Sequence, residues 1–168
     1  MVTYFYSKSE LEIGKLRHLY RCRIEEERIA KYSHLSLPVG AIEAEQDFYY
    51  NLDSVFDSNN SCIAIWLDND RYVSSLRFEK FEDGFLITGF ETDPDYIGKG
   101  YGKRLLQNVC KDMKHKKIYS HIKRDNHVSV YLHKLCGFEL MQHSAVFIDG
   151  TKSFDHDTWI LDIKNDRF

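Results

Sequence analysis

The sequence has no apolar run approaching the roughly 18 to 20 residues that a membrane-crossing helix needs. Its opening stretch, MVTYFYSKSELEIGK, has no basic segment followed by an apolar one. Neither membrane insertion nor export is expected, and the chain reads as soluble and cytoplasmic. Cysteine is sparse: Cys22, Cys62, Cys110 and Cys136 form no CxxC pair. That argues against a disulfide framework or a zinc site and for buried, reduced thiols. There is no strong excess of one charge. A formal net charge of -3 argues against a nucleic-acid or membrane partner. No repeat, linker or low-complexity segment interrupts the chain, so residues 1–168 read as one domain. What is present is apolar and aromatic: 43% and 14% of the residues, enough for a core and too much for a disordered chain.

Residues 2–6, VTYFY, are β-branched and aromatic and predict a first strand. Ser7 with Glu10, and Ser9 with Glu12, have capping-box spacing. Ile13, Leu16, Tyr20 and Ile24 follow at helical spacing, predicting one helix over about 9–28. Pro38 and Gly40 mark 29–42 as a loop, with a second helix over about 43–56. CIAIWL (62–67), RYVSSLRFEKF (71–81) and FLITGFET (85–92) read as a meander turning at Asp68-Asn69-Asp70 and at Asp83-Gly84. Leu105, Leu106, Val109, Cys110 and Met113 define the apolar face of the next helix. IYSHI (118–122) is a strand. A helix capped by Asp125 or Asn126 runs to about 136, with Gly137 at its C-terminal turn. Strands near 138–147 and 154–163 flank Asp149-Gly150. The strand–helix–strand portion, 85–122, predicts a parallel crossover in an otherwise mostly antiparallel sheet.

Gly98, Gly100 and Gly102 fall in DYIGKGYGKRLL, between a strand and a helix. An ATP-binding P-loop would need glycine at Ile97 and a hydroxyl at Arg104. A dinucleotide fingerprint would need glycine at Lys103. What remains is a GxGxG turn at a helix start, with Lys99, Lys103 and Arg104 beside it. Exposed N–H groups and the helix dipole there suit an anion, and a pyrophosphate is the natural guest.

Two blocks carry a family resemblance. FETDPDYIGKGYGKRLL resembles motif A of the GNAT superfamily of N-acetyltransferases: a strand, a Pro-containing bend, then (Arg/Gln)-x-x-Gly-x-(Gly/Ala) opening a helix. In NHVSVYLHKLCGF, the residues Asn126, Ser129, Leu132, Gly137 and Phe138 resemble motif B, N..A..LY...GF, and SFDHDTWILDI resembles the usual closing strand. The order of elements matches along nearly the whole chain. The resemblance implies an α/β (α+β) GNAT fold, with a central mixed, mostly antiparallel sheet of about seven strands flanked by helices. It also implies acetyl-CoA as co-substrate, no metal, and direct attack of a substrate amine on the thioester. Backbone N–H groups of Ile97, Gly98, Lys99, Gly100, Tyr101, Gly102 and Lys103 would cradle the pyrophosphate. The pantetheine arm would lie where strand 85–92 splays from strand 118–122, pairing with the backbone near Phe90 and Thr92. Asn126 would touch the arm from the far side.

The sequence departs from the pattern at two positions. Ile97 stands where the family has Arg or Gln, losing a side-chain donor but not a backbone one. The tyrosine that commonly protonates the leaving thiolate aligns with His133, since Tyr131 lies about 200° around the helix. Histidine can serve, because its reference pKa near 6.5 lets it donate and accept near neutrality. For the general base, a glutamate that some relatives carry on the fifth strand becomes His121; Glu91 and Glu79 are the other candidates, and the choice stays open. His115, His121, His127 and His133 recur every six residues, which matches neither a helix nor a strand, so no metal site is expected.

Relatives bind acceptors with regions corresponding to about 25–50 and 147–153. Here these hold Glu25, Glu26, Glu27, Glu43, Glu45, Tyr49 and Tyr50, a set suited to a cationic amine. Polyamines, amino acids, antibiotics and protein N-termini all fit that description. The resemblance implies an N-acetyltransferase acting on a primary amine. Its alternatives are a catalytically silent acyl-CoA-binding or interaction module and, more remotely, a nucleotide-binding ATPase. Many relatives are homodimers, and that state is open here.

Overall fold

The computed structural model describes residues 1–57, 61–113 and 116–162. His115 and the end of the last expected strand at Ile163 lie outside them. Among the described residues no helix is long and apolar enough to cross a membrane.

Strands β1 (Val2–Phe5), β2 (Cys62–Asp68), β3 (Arg71–Phe81), β4 (Gly84–Thr92), β5 (Lys117–Lys123) and β6 (Glu139–Gln142) join one sheet. After a short pair, β7 (Ala145–Val146) and β8 (Lys152–Ser153), β9 (His156–Asp162) completes it. The seven-stranded order is β1-β2-β3-β4-β5-β9-β6. Every neighbouring pair is antiparallel except β4 and β5, the expected parallel crossover. Side-chain alternation divides the interior into two cores. Cys62, Ala64, Leu76 and Phe78 face helix α4 (Tyr101–Asp112), joining Leu105, Leu106 and Val109. Ile63, Ile65 and Tyr72 face the opposite way, onto Leu16, Leu19, Tyr20 and Leu52 of the first helices.

The first helical region differs from the expected single helix over 9–28. A 3-10 turn (Lys8–Glu10) precedes α1 (Ile13–Leu19), and the chain bends at Tyr20 (φ -91, ψ 8) into α2 (Arg21–Tyr32). Burial accounts for the bend. Leu16, Leu19 and Tyr20 are drawn onto the sheet, and the Tyr20 hydroxyl meets Ser75 Oγ at 2.8 Å. No residue of α2 is buried to that degree. Glu10 does turn back as a capping residue should, accepting from the N–H groups of Tyr6 and Ser7.

The expected loop over 29–42 is also corrected. Residues up to Tyr32 continue α2, and α3 begins at Leu37 and runs to Asp57. Pro38 falls in the first turn, where a missing N–H costs nothing and the fixed φ suits a helix. Gly40 is buried where a Cβ would sit 3.0 Å from the Tyr32 carbonyl, so it allows α3 to cross close to α2.

At the second hairpin the turn residues are Glu82 and Asp83, with Glu82 at φ 47, and Gly84 is already in β4. Gly84 is required by packing and not by the turn: a Cβ there would collide with the Lys117 backbone. The two expected closing strands prove to be four. β6 ends at Gln142, and β7 and β8 form a small hairpin about Asp149-Gly150 before β9 begins. Helix α5 (His127–Leu135) agrees closely: Asn126 caps it by accepting from Ser129 N–H at 3.1 Å, and Gly137 (φ 88) ends it.

Candidate active site

Strand β4 pairs with β5 only from Gly84↔Lys117 to Ile87↔Ser120. Beyond Ile87, β4 stays with β3 through Ser74↔Thr92, while β5 stays with β9. The sheet is thereby opened in the middle. A bulge at Thr88 accompanies the parting, since Arg77 pairs with Gly89 and Phe78 with Ile87. A cavity of roughly 380 Å³ fills the opening. One mouth is lined by Phe90, Asn126, Ser129 and His133, on the α4–α5 side; the other by Tyr20, Arg23, Glu27, Phe48 and Glu91, on the α1–α3 side. A second cavity, lined by Glu79, Phe147 and Asp149, shares Ile87, Thr88 and His121 with the first. Residues of seven elements, α2, α3, β3, β4, β5, α5 and β9, surround this one space.

The glycine turn joins β4 to α4 beside this opening. A 3-10 turn (Pro94–Tyr96) is capped by Asp93, whose carboxylate accepts from Asp95 N–H at 2.9 Å and pairs with Arg21 at 3.0 Å. Gly98 and Gly100 both take φ 79, in the left-handed region. Gly102 has another reason: a Cβ there would sit 3.1 Å from Thr92 Oγ1 and 3.3 Å from the Phe90 ring, so glycine seats α4 on β4. The N–H groups of Ile97 and Lys99 are used inside the bend, by the carbonyls of Pro94 and Tyr96. Those of Gly98, Gly100, Tyr101, Gly102 and Lys103 make no backbone bond among the described residues. They stand at a helix N-terminus, a place that suits an anion. Ile97 is 67% exposed and offers nothing polar. The Arg104 guanidinium lies over the Tyr101 ring at 4.7 Å and donates to the Lys99 carbonyl at 2.7 Å, bracing the turn from outside.

His133 is 1% exposed, between the Phe90 and Phe138 rings. Its Nδ1–H donates to the Ser129 carbonyl at 2.8 Å. That contact fixes the tautomer, so Nε2 is a bare acceptor, buried and without a partner. Burial pushes the His133 pKa down to about 4, so the ring is neutral near pH 7. His121 is different. Its Nε2 meets the Val146 carbonyl at 3.0 Å and its Nδ1 meets Thr158 Oγ1 at 3.1 Å. Its ring packs edge-on against Phe81 and Phe147. Burial lowers its pKa too, and both nitrogens are engaged by the protein. Glu91 lines the cavity on the α1–α3 side, and burial raises its pKa, opposed in part by nearby Arg23 and a hydrogen bond from the Thr92 backbone. Glu79 lines the second cavity instead. Asn126 is exposed at the mouth with its carbonyl oxygen committed to the helix cap.

Two residues of the cavity were missed by sequence reasoning, Arg77 and Thr88. Arg77 Nε and Thr88 Oγ1 are buried without partners, as is His133 Nε2. The signal for Arg77 was a cation inside the strand pattern RYVSSLRF, alternating onto the same face as Ser75. The bulge that turns Thr88 inward has no signal in the sequence. Of the evenly spaced histidines described, His133 points into the cavity, His121 is held by the β7 and β9 backbone and side chains, and His127 is exposed at the start of α5. His18, Asp93 and Asp95 do lie close together, but Arg21 pairs with both carboxylates.

Residues 23–138 match the family model described as the acetyltransferase (GNAT) family. No curated protein matches the sequence. Among solved structures, the chain resembles the PaiA N-acetyltransferase of Thermoplasma acidophilum in complex with coenzyme A. The TM-score is 0.64 at 13% identity, over 95% of this chain and 98% of that one. It also resembles the Campylobacter jejuni N-acetyltransferase PseH in complex with acetyl coenzyme A, at TM-score 0.64 and 12% identity over 98% and 100% of the two chains. A third likeness is to the ribosomal-protein-S18-alanine N-acetyltransferase of Escherichia coli, at TM-score 0.62 and 15% identity over 100% and 99%. At these identities the likeness is one of fold.

Proposed function

Because the chain belongs to the acetyltransferase (GNAT) family, we propose that it is an acetyl-CoA-dependent N-acetyltransferase acting on a primary amine by direct attack in a ternary complex. The observation that carries this reading is the parting of β4 from β5 beside a glycine turn with unpartnered N–H groups. The chain's own groups fit the co-substrate. The N–H groups of Gly98, Gly100, Tyr101, Gly102 and Lys103 suit its pyrophosphate, with Lys99 and Lys103 adding positive potential. The open edge of β4 at Phe90 and Thr92 suits the amide-bearing arm, and Asn126 flanks it at the α5 mouth. Ile97 contributes neither side chain nor N–H, so the glycine N–H groups carry the contact.

Bound acetyl-CoA supplies a thioester, whose C–S bond breaks as the C–N bond to the acceptor forms. The proton traffic falls to the protein. An amine with pKa near 10 is mostly protonated at pH 7, and Glu91, facing the α1–α3 mouth with a carboxylate made more basic by burial, takes the first proton. His121 is less suited, because both ring nitrogens are engaged. His133 begins neutral, so it acts first as an acceptor: Nε2 receives the second proton of the attacking nitrogen and returns it to the departing sulfur. Its Nδ1–H stays on the Ser129 carbonyl throughout.

The test is thiol release from acetyl-CoA with a panel of primary amines. Turnover above hydrolysis is expected. Replacing His133 by Phe or Glu91 by Gln should lower kcat by about 10²-fold or more while acetyl-CoA binding changes little. Acetyl-CoA binding with no amine-dependent release would favour the catalytically silent module instead.

A further inference from the structure

Arg77 does no work in that proton traffic, yet it is set into the acceptor half of the cavity with unusual care. Its guanidinium lies across Gly89 of β4, in the very space a Cβ at that position would occupy. Nη2 donates to the Thr88 carbonyl at 3.3 Å, while Nε is buried with no partner. No carboxylate of the described residues forms an ion pair with it. The charged neighbours facing this half of the cavity are Arg23, Glu27 and Glu91. Arg23 and Glu27 are already paired, with Glu26 and Lys31. Next to Arg77, the Thr88 hydroxyl is a second buried polar atom without a partner. A folded protein rarely keeps a guanidinium nitrogen and a hydroxyl buried and unmatched side by side unless something else completes them.

Both groups can donate, and both residues line the cavity at the sheet opening together with Glu91. What they lack is an anionic oxygen acceptor. We propose that the acceptor amine also carries a carboxylate, as an amino acid does, and that Arg77, with Thr88, binds that carboxylate while Glu91 faces the amine. Arginine is the side chain whose planar fork matches a carboxylate with two parallel bonds. One negative charge suffices to balance Arg77, and Glu27 and Glu91 nearby oppose a more highly charged group. A cation-only acceptor such as a polyamine would leave Arg77 unpaired and face its charge.

This inference rests on the acetyltransferase reading, so its test separates the two. Small α-amino acids and their amides form pairs that differ in the carboxylate and in the amine pKa it sets, so rates and affinities are compared per free amine. Initial rates of thiol release and calorimetric binding to the CoA-loaded protein are measured for each pair. The acids should exceed their amides by about ten- to a hundredfold in kcat/KM, the value of a charge-assisted hydrogen-bonded contact. Arg77→Met should bring that ratio close to one, chiefly through KM. Gly89→Ala should do the same by displacing the guanidinium with a Cβ, and retained thermal stabilisation by acetyl-CoA shows that both variants are folded. Amides that bind and react as well as acids would overturn the inference. So would an Arg77→Met variant that lowers acids and amides equally, which would put Arg77 on the reacting carbonyl. If no amine turns over, the enzyme reading fails by itself, and the binding arm still decides: preference for acids that is lost in Arg77→Met upholds the carboxylate site, and no preference refutes it.

Discussion

At the scale of single residues, His133 shows how much depends on one hydrogen bond. With Nδ1–H given to the Ser129 carbonyl, any further proton must go to Nε2, inside a cavity between two phenylalanine rings. Burial therefore holds its pKa down to about 4, against about 6.5 in an unfolded chain. A lowered pKa means that the unfolded state binds the proton more readily. The stabilisation is fully present above pH 6.5 and is lost as pH falls through that window towards 4. Denaturant unfolding at pH 7.5 and pH 4.5 should differ by about 3 kcal/mol more in the parent than in His133→Phe. Equal losses in the two proteins would mean that the ring is not held neutral by the fold. The residue's identity was legible as a departure from the motif-B tyrosine. Its tautomer was not, because the Ser129 carbonyl it meets is a helix-backbone group whose position depends on where α5 begins.

At the scale of elements, glycines that look alike in the sequence do different things. Gly98 and Gly100 serve backbone conformation, and Gly102 serves the packing of α4 on β4. Gly84 reads as a turn glycine, yet it sits in β4 against the Lys117 backbone of β5. Gly84→Ala should cost about 1–3 kcal/mol by prising the parallel pair apart where it is held together. Gly14→Ala, in α1 with open space around it, should be neutral or stabilise by up to about 1 kcal/mol. Urea midpoints of the two variants check both signs, and a tolerated Gly84→Ala would show that β4 and β5 do not need that close approach. The meander, α4 and α5 were legible from alternation, periodicity and caps. The bend at Tyr20 and the early start of α3 were not. In each case a tertiary contact overrides the local signal: Tyr20 is pulled to Ser75, and Gly40 lets α3 press against α2.

At the scale of the whole molecule, the opened sheet links two cores that are otherwise separate. The mouth on the α4–α5 side has the glycine turn beside it, and the mouth on the α1–α3 side has the charged helices. A ligand held at the turn and along β4 bridges the two strands that the fold leaves unpaired, and it binds the folded chain alone. Acetyl-CoA at a hundred times its Kd should stabilise the protein by about 2.7 kcal/mol, raising Tm by about 5–10 °C. ATP at the same concentration should not, because the turn has neither the P-loop spacing nor a hydroxyl at Arg104 for a magnesium ion. A larger shift with ATP than with acetyl-CoA would contradict the site described here.

By itself the sequence determined the elements whose signals are local: the alternating strands, the apolar face of α4, the Asn126 cap, and the glycine turn that fails the ATP and dinucleotide spacings. Those signals act within a few residues, through dihedral preference and side-chain period. Only the tertiary structure decided that both nitrogens of His121 are engaged while Glu91 lines the cavity, and that Arg77 and Thr88 line it with buried polar atoms unmatched. Each of these depends on atoms from distant parts of the chain that meet around the gap between β4 and β5. A one-residue bulge at Thr88 accompanies that parting, and a bulge belongs to the pairing of two strands, which neither strand's own sequence contains.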